Sequence, residues 1–233
     1  MSTTGSTAEG VIAALEAHRD EAELPKVRTR LAPDEPAIGL RMRDLFAVAQ
    51  QHRDLPLDHV HRLLDHPAYE PRMAAYCILD FAARRRIDDD RRRELYDVYL
   101  GRRDRLTTWD MVDRSAPRVV GGHLTGRDVA PLHELGRSDA PLDRRTAATA
   151  PLFFVMAGSD DDVDAAFAVV EPLATDPDPL VHLAVGTFLK HAGGRVPDQV
   201  AELLDRHAPS MARPAVRQAA DKLPPEVRAR FVR

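Results

Sequence analysis

The chain has 233 residues, enough for one large domain or an elongated repeat array, and 44% hydrophobic with 30% charged residues marks it as globular rather than disordered. Aromatics are only 5%, and β-branched residues are sparse beside Ala, Leu and Arg, which favours helix over sheet. A formal net charge of -4 excludes a global basic field, though not a local basic groove, and the single cysteine, Cys77, excludes an intrachain disulfide.

Residues 1–6 read as a flexible N-terminal tail. Ser6 and Glu9 have the spacing of a capping box, and Val11, Ile12 and Leu15 form the stripe of a first helix. A polar, Pro-containing stretch runs to about Pro36. Gly39 then precedes a helix carrying Leu40, Leu45, Phe46 and Val48 against Arg41, Arg43, Gln50 and Gln51. Pro71 starts a helix with Met73, Ala74, Cys77, Ile78 and Phe81 as its buried stripe. Thr107 or Thr108 caps one through Trp109, Val112, Ala116 and Val119. Pro141 starts the next, with Ala147, Ala148 and Phe153. Pro179 starts another, with Leu180, Ala184, Val185, Phe188 and Leu189, ended by Gly193-Gly194, and Pro214 starts the last. Proline at a first helical position is a physical start signal, because its missing N–H has no partner there anyway. These starts recur roughly every 35 residues, the period of helical repeat arrays. Shorter partner helices lie between them at Leu57–Leu64, Arg91–Leu100, Val129–Leu135, Val163–Leu173 and Val200–His207.

The expected fold is therefore all-α, an α-solenoid of the right-handed type. Stacked antiparallel helix pairs (HEAT-like repeats) fill residues 7–233 as a single domain, curved with a concave binding face. The N-terminus lacks a basic stretch followed by an apolar one, and no apolar run reaches the length of a membrane span. The expected location is cytoplasmic.

Trp109 is the only tryptophan, and Asp113 lies four residues on, so a helix puts both on one face. The plain alternative is a packing Trp and a surface acid. Asp110 has the capping spacing from Thr107. His59, His61 and His66 cluster with Asp58 and Asp65, but His59 and His61 point to different helix faces, a poor arrangement for metal. Asp160, Asp162 and Asp164 resemble a calcium loop only superficially, because the required central Gly is Ala165; they complement a helix N-terminus instead.

Trp-Asp-Met-Val-Asp at 109–113 resembles the Trp-Asp-x-Val-Asp segment of the AlkD-type HEAT-like-repeat DNA alkylation repair glycosylases. The likeness covers most of the chain. Residues 37–41 are similar to that family's Gly-containing lead-in to an early helix, and 70–81 to its Ala-rich central helix. Residues 143–147 are similar to its Arg-x-Ala helix start, and 183–190 to its Lys-Ala-Ile-Gly-Trp-x-Leu-Arg helix. The resemblance implies that Asp113 is the catalytic carboxylate and that Trp109 packs on the deoxyribose beside it. It implies DNA contacts from Arg145, its neighbour Arg144, Lys190 and Arg41. Thr187 is a departure: it stands in the substrate cleft where the family pattern has a second Trp. Loss of that aromatic wall points to lost activity, an altered substrate range, or a cleft widened for a bulkier lesion.

The implied function is hydrolysis of the N-glycosidic bond of cationic N3- or N7-alkylated purines in duplex DNA, by a monomer that uses no metal or cofactor. Two other readings stay open. One is a catalytically silent HEAT-like-repeat protein binding distorted or branched DNA; the other is a protein-binding scaffold.

Overall fold

A computed structural model of the chain describes residues 6–232, so the expected tail over residues 1–6 lies, but for Ser6, outside the described residues. Every regular element among the described residues is helical, and none is a strand. The chain divides into two compact units, residues 1–115 and 116–233.

The first unit carries α1 (Ala8–Glu16), α2 (Leu24–Arg28), α3 (Met42–Gln51), α4 (Leu57–Asp65), α5 (Tyr69–Ala83), α6 (Asp89–Gly101) and α7 (Trp109–Ala116), the last residue of α7 falling just past the division. Helix α5 is its core. Fourteen of its fifteen residues are buried, all but Phe81, and both α3 and α4 pack against it. A helix apolar on nearly every side is stable only inside. The cap of α1 is Thr7, whose side chain accepts the Gly10 N–H at 3.1 Å; the expected cap Ser6 instead contacts the His52 ring. Helix α5 begins two residues before the expected start. Pro71 therefore sits within its first turn, where a missing N–H is still harmless. The supposed polar stretch up to Pro36 is not all loop, for it holds a short 3-10 turn at Glu21–Glu23 and α2. Gly39 has φ +80, and a Cβ there would lie 2.6 Å from Cγ of Leu24. Its N–H and that of Ile38 both donate to the buried Glu70 carboxylate at 2.8 Å, tying the lead-in of α3 to the start of α5.

The second unit opens with a π-helical stretch, Pro117–Gly121. Pro117 has no N–H for an α-type bond four residues back, and the chain absorbs that in the wider turn. There follow α8 (Gly122–Leu124), α9 (Ala130–Gly136), α10 (Pro141–Thr149), α11 (Leu152–Ala157), α12 (Asp160–Val170), α13 (Pro179–Ala192), α14 (Pro197–His207), α15 (Arg213–Ala219) and α16 (Pro225–Phe231). The helices started by Pro141, Pro179 and Pro214 pack in succession, α10 on α13 and α13 on α15. Gly186 permits the second contact, because a Cβ there would meet the Ala215 carbonyl oxygen at 3.0 Å. Phe167 and Phe188 meet edge to face at 5.4 Å in this core. The acids near 160 do cap a helix: the Ser159 hydroxyl accepts the Asp162 N–H, and the Asp162 carboxylate accepts the Ser159 N–H at 2.8 Å.

Candidate functional site

The sequence-predicted residues fall in both units. In the first unit, Trp109 opens α7 and Asp113 follows one turn later, so the two share a face. Trp109 is 43% exposed, whereas Met111 and Val112 beside it are fully buried. Asp113 is half-buried. An indole held at the surface by a helix whose other side is sealed is not a core-filling side chain.

What seals the other side was not anticipated. Asp110 is only 8% exposed. Its carboxylate accepts from the Tyr69 hydroxyl at 2.6 Å, Nη1 of Arg30 at 2.8 Å and the Thr108 hydroxyl at 2.5 Å. Asp110 is thus a buried anchor rather than a simple end cap. Burial, with the Asp110 charge beside it, pushes the Tyr69 hydroxyl well above the ordinary phenol range, so it stays protonated and donates. Burial works against the Arg30 charge, but the bond to Asp110 outweighs it and holds the guanidinium protonated. Next door, the Thr107 hydroxyl donates to Glu35 at 2.8 Å, and Glu35 pairs with Arg72, both side chains being 8% exposed. Arg30, Glu35, Tyr69 and Arg72 are the residues that sequence reasoning missed. The available signal was polar residues recurring along an otherwise apolar helix at 69–83.

Arg41 is the N-cap residue of α3. It lies 3.6 Å from both the Asp20 and Glu23 carboxylates, with half of its side chain exposed.

In the second unit, Arg144 and Arg145 lie on α10, Thr187 and Lys190 on α13. Arg144 is committed within the unit. Its Nε meets Asp176 at 2.7 Å, and Nη1 donates to the Ser138 and Asp139 carbonyls at 2.9 and 3.0 Å. That bond to Asp176 also raises its already high pKa. Arg145 is 6% exposed and donates to the Leu180 carbonyl, deeper than a phosphate contact requires. Lys190 is a third exposed and pairs with Asp221 at 2.7 Å, which holds that carboxyl below the usual range. The Thr187 hydroxyl donates to the Leu183 carbonyl at 3.0 Å and accepts from the Gln218 amide at 2.7 Å. The departure from the expected Trp is therefore occupied by a polar pair between α13 and α15.

The remaining candidates resolve into ordinary packing. The Nδ1 atoms of His59, His61 and His66 face the Ala8 N–H, the Arg102 guanidinium and the Ala68 N–H, three separate partners. Among the described residues no three His, Cys, Asp or Glu side chains are grouped to hold a metal. Cys77 is fully buried, and burial pushes its thiol up to about 12, which makes it an inert core residue. No helix of the described residues is long and apolar enough to cross a membrane.

The family model for "DNA alkylation repair enzyme" matches residues 11–223 of the chain, spanning both units. Among curated proteins no match is found.

Proposed function

The chain belongs to the DNA alkylation repair enzyme family, and from that premise we propose that it is a DNA glycosylase releasing cationic N3- or N7-alkylated purines from duplex DNA. The observation that carries this reading is the sole tryptophan, 43% exposed at the start of α7 and one turn from Asp113.

The chemistry needs little else. An alkylated purine is already a cation, so the C1′–N bond breaks with both electrons passing to a base that leaves neutral, and no general acid is required. Positive charge then grows on the sugar. The Asp113 carboxylate stabilises it, and the Trp109 face adds cation–π attraction. Water adds to C1′ with Asp113 orienting it and accepting its proton. Nothing in this sequence of steps calls for a metal or cofactor.

Residues 7–233 act as one functional domain in this reading, which the family match over 11–223 supports, and that domain works as a monomer. A HEAT-like solenoid with a concave DNA face belongs to the same proposal, supported in the second unit by the succession α10, α13, α15. Its phosphate contacts are assigned first to Lys190 and Arg41, which keep exposed side chains. Arg144 and Arg145 act from behind, holding α10 and the start of α13. Asp221→Asn removes the Lys190 counter-charge. It is expected to tighten duplex binding and to steepen the log–log salt dependence by up to about one unit, as one more phosphate contact would. Unchanged affinity and slope across a salt titration would remove Lys190 from the interface.

The reading is tested by incubating methylated duplex with the protein and analysing the products. Free 7-methylguanine or 3-methyladenine with matching abasic sites is the expected result. Tight binding with no base released would favour the silent DNA-binding reading, which the Thr187–Gln218 pair at the position of the missing Trp supports.

A further inference from the structure

Helix α5 is buried almost throughout, yet besides Glu70 it carries four polar side chains, at Tyr69, Arg72, Tyr76 and Asp80. Their spacing of three, four and four residues makes one stripe. Each meets the segment that leads into and forms α7. Tyr69 donates to Asp110 at 2.6 Å. Arg72 reaches the Thr107 hydroxyl at 3.3 Å. Tyr76 donates to the Arg102 carbonyl at 2.8 Å. Asp80 pairs with Arg114 at 3.0 Å. Arg114 is further held between the Phe46 and Phe81 rings, at 4.5 and 4.6 Å.

The two ends of this ladder fall on α7 at Asp110 and Arg114, one turn apart. Trp109 and Asp113 are also one turn apart, each one residue earlier. The gripped face and the displayed face of α7 are therefore adjacent, and a shift of one residue in the grip would turn Trp109 and Asp113 away. Apolar packing alone tolerates such slippage, because it is not directional. Buried hydrogen bonds and ion pairs do not, because each broken one strands a polar group in the interior.

We infer that Tyr69, Arg72, Tyr76 and Asp80 are positioning residues, a buried polar ladder that sets the register of α7 and so the placement of Trp109 and Asp113. The inference rests on the proposed roles of Trp109 and Asp113. Positional precision matters at this scale: a misplacement of about 1 Å can cost roughly a hundredfold in rate.

Tyr69→Phe tests it with the least damage, since it removes one hydroxyl and keeps the ring. Three quantities are compared with wild type on methylated duplex: single-turnover release at saturating protein, duplex Kd, and acrylamide quenching of tryptophan fluorescence. Trp109 is the sole tryptophan, so its emission reports the displayed face directly. The expected result is release slowed roughly tenfold or more, with Kd little changed and Trp109 quenching altered. Arg30→Met, which strips Asp110 of its cation, is the second variant should Tyr69→Phe fail to fold. Release and quenching equal to wild type in the folded variant, with Asp113→Asn inactive, would overturn the inference. So would a rate deficit that vanishes on cooling in step with a lowered Tm, the mark of a residue that only stabilises. Full release by Asp113→Asn would instead overturn the reading beneath it, and quenching of Trp109 alone would then decide whether the ladder sets register.

Discussion

Asp80→Ala is expected to destabilise the protein by about 3–5 kcal/mol, the usual consequence of removing one partner from a buried ion pair. Asp80 has no exposed side-chain surface and holds two guanidinium groups, Arg84 at 2.9 Å and Arg114 at 3.0 Å. The two would not suffer alike. Arg84 is 38% exposed and can turn to water, so Arg84→Ala is expected to cost under about 1 kcal/mol. Arg114 is 18% exposed and caged by the Phe46 and Phe81 rings. It would keep its charge in the interior without a carboxylate, and that is where most of the cost arises. The double variant Asp80→Ala, Arg114→Met should recover much of the loss, since a buried pair replaced by apolar groups is often close to neutral. Urea midpoints at constant m-value measure all four proteins. A loss below about 1 kcal/mol for Asp80→Ala would mean that Arg114 finds water when the carboxylate is gone.

Much of the helical order was legible because proline marks it. Pro141 and Pro179 open their helices as expected, and the partner helices at 57–64, 91–100 and 200–207 appear within a few residues of the expected bounds. Those signals are local, a missing N–H or an apolar period, and local signals survive in a sequence. The misses have a different origin. The capping-box spacing to Glu9 favours Ser6, but the residue that caps α1 depends on where the chain turns, and that is Thr7. Helix α11 hides in an apolar run broken by Pro151, where period alone does not separate one helix from two.

The candidate site divides the same way. The pairing of Trp109 with Asp113 follows from a spacing of four. The environment of Asp110 does not, because its partners Arg30 and Tyr69 lie 80 and 41 residues away in sequence. A carboxylate three residues beyond a threonine reads as a cap until a buried phenol is found against it. Arg144 and Arg145 are a similar case: the resemblance implies DNA contacts for them, and only the fold shows that Asp176 and the Leu180 carbonyl also engage them.

Asp113→Asn is expected to slow base release about a hundred- to a thousandfold, equivalent to about 3–4 kcal/mol of barrier. The substitution keeps shape and removes the charge that the proposed mechanism sets against the developing cation, so the expected loss belongs to the transition state and to the chemical step. Duplex binding should not weaken with it. A carboxylate near phosphates opposes association, and the amide variant is expected to bind as tightly as wild type or more so. That split, rate lost and affinity kept, separates a catalytic carboxylate from one that merely supports the fold, whose removal would lower both together.

The most direct measurement is single-turnover release of 7-methylguanine from one methylated duplex by wild type and Asp113→Asn, both saturated with DNA. The expected result is release by wild type and a fall of at least roughly a hundredfold in the variant. Equal release by the two proteins, or none by wild type bound to the duplex, would contradict the assignment of the Trp109–Asp113 face as the catalytic centre.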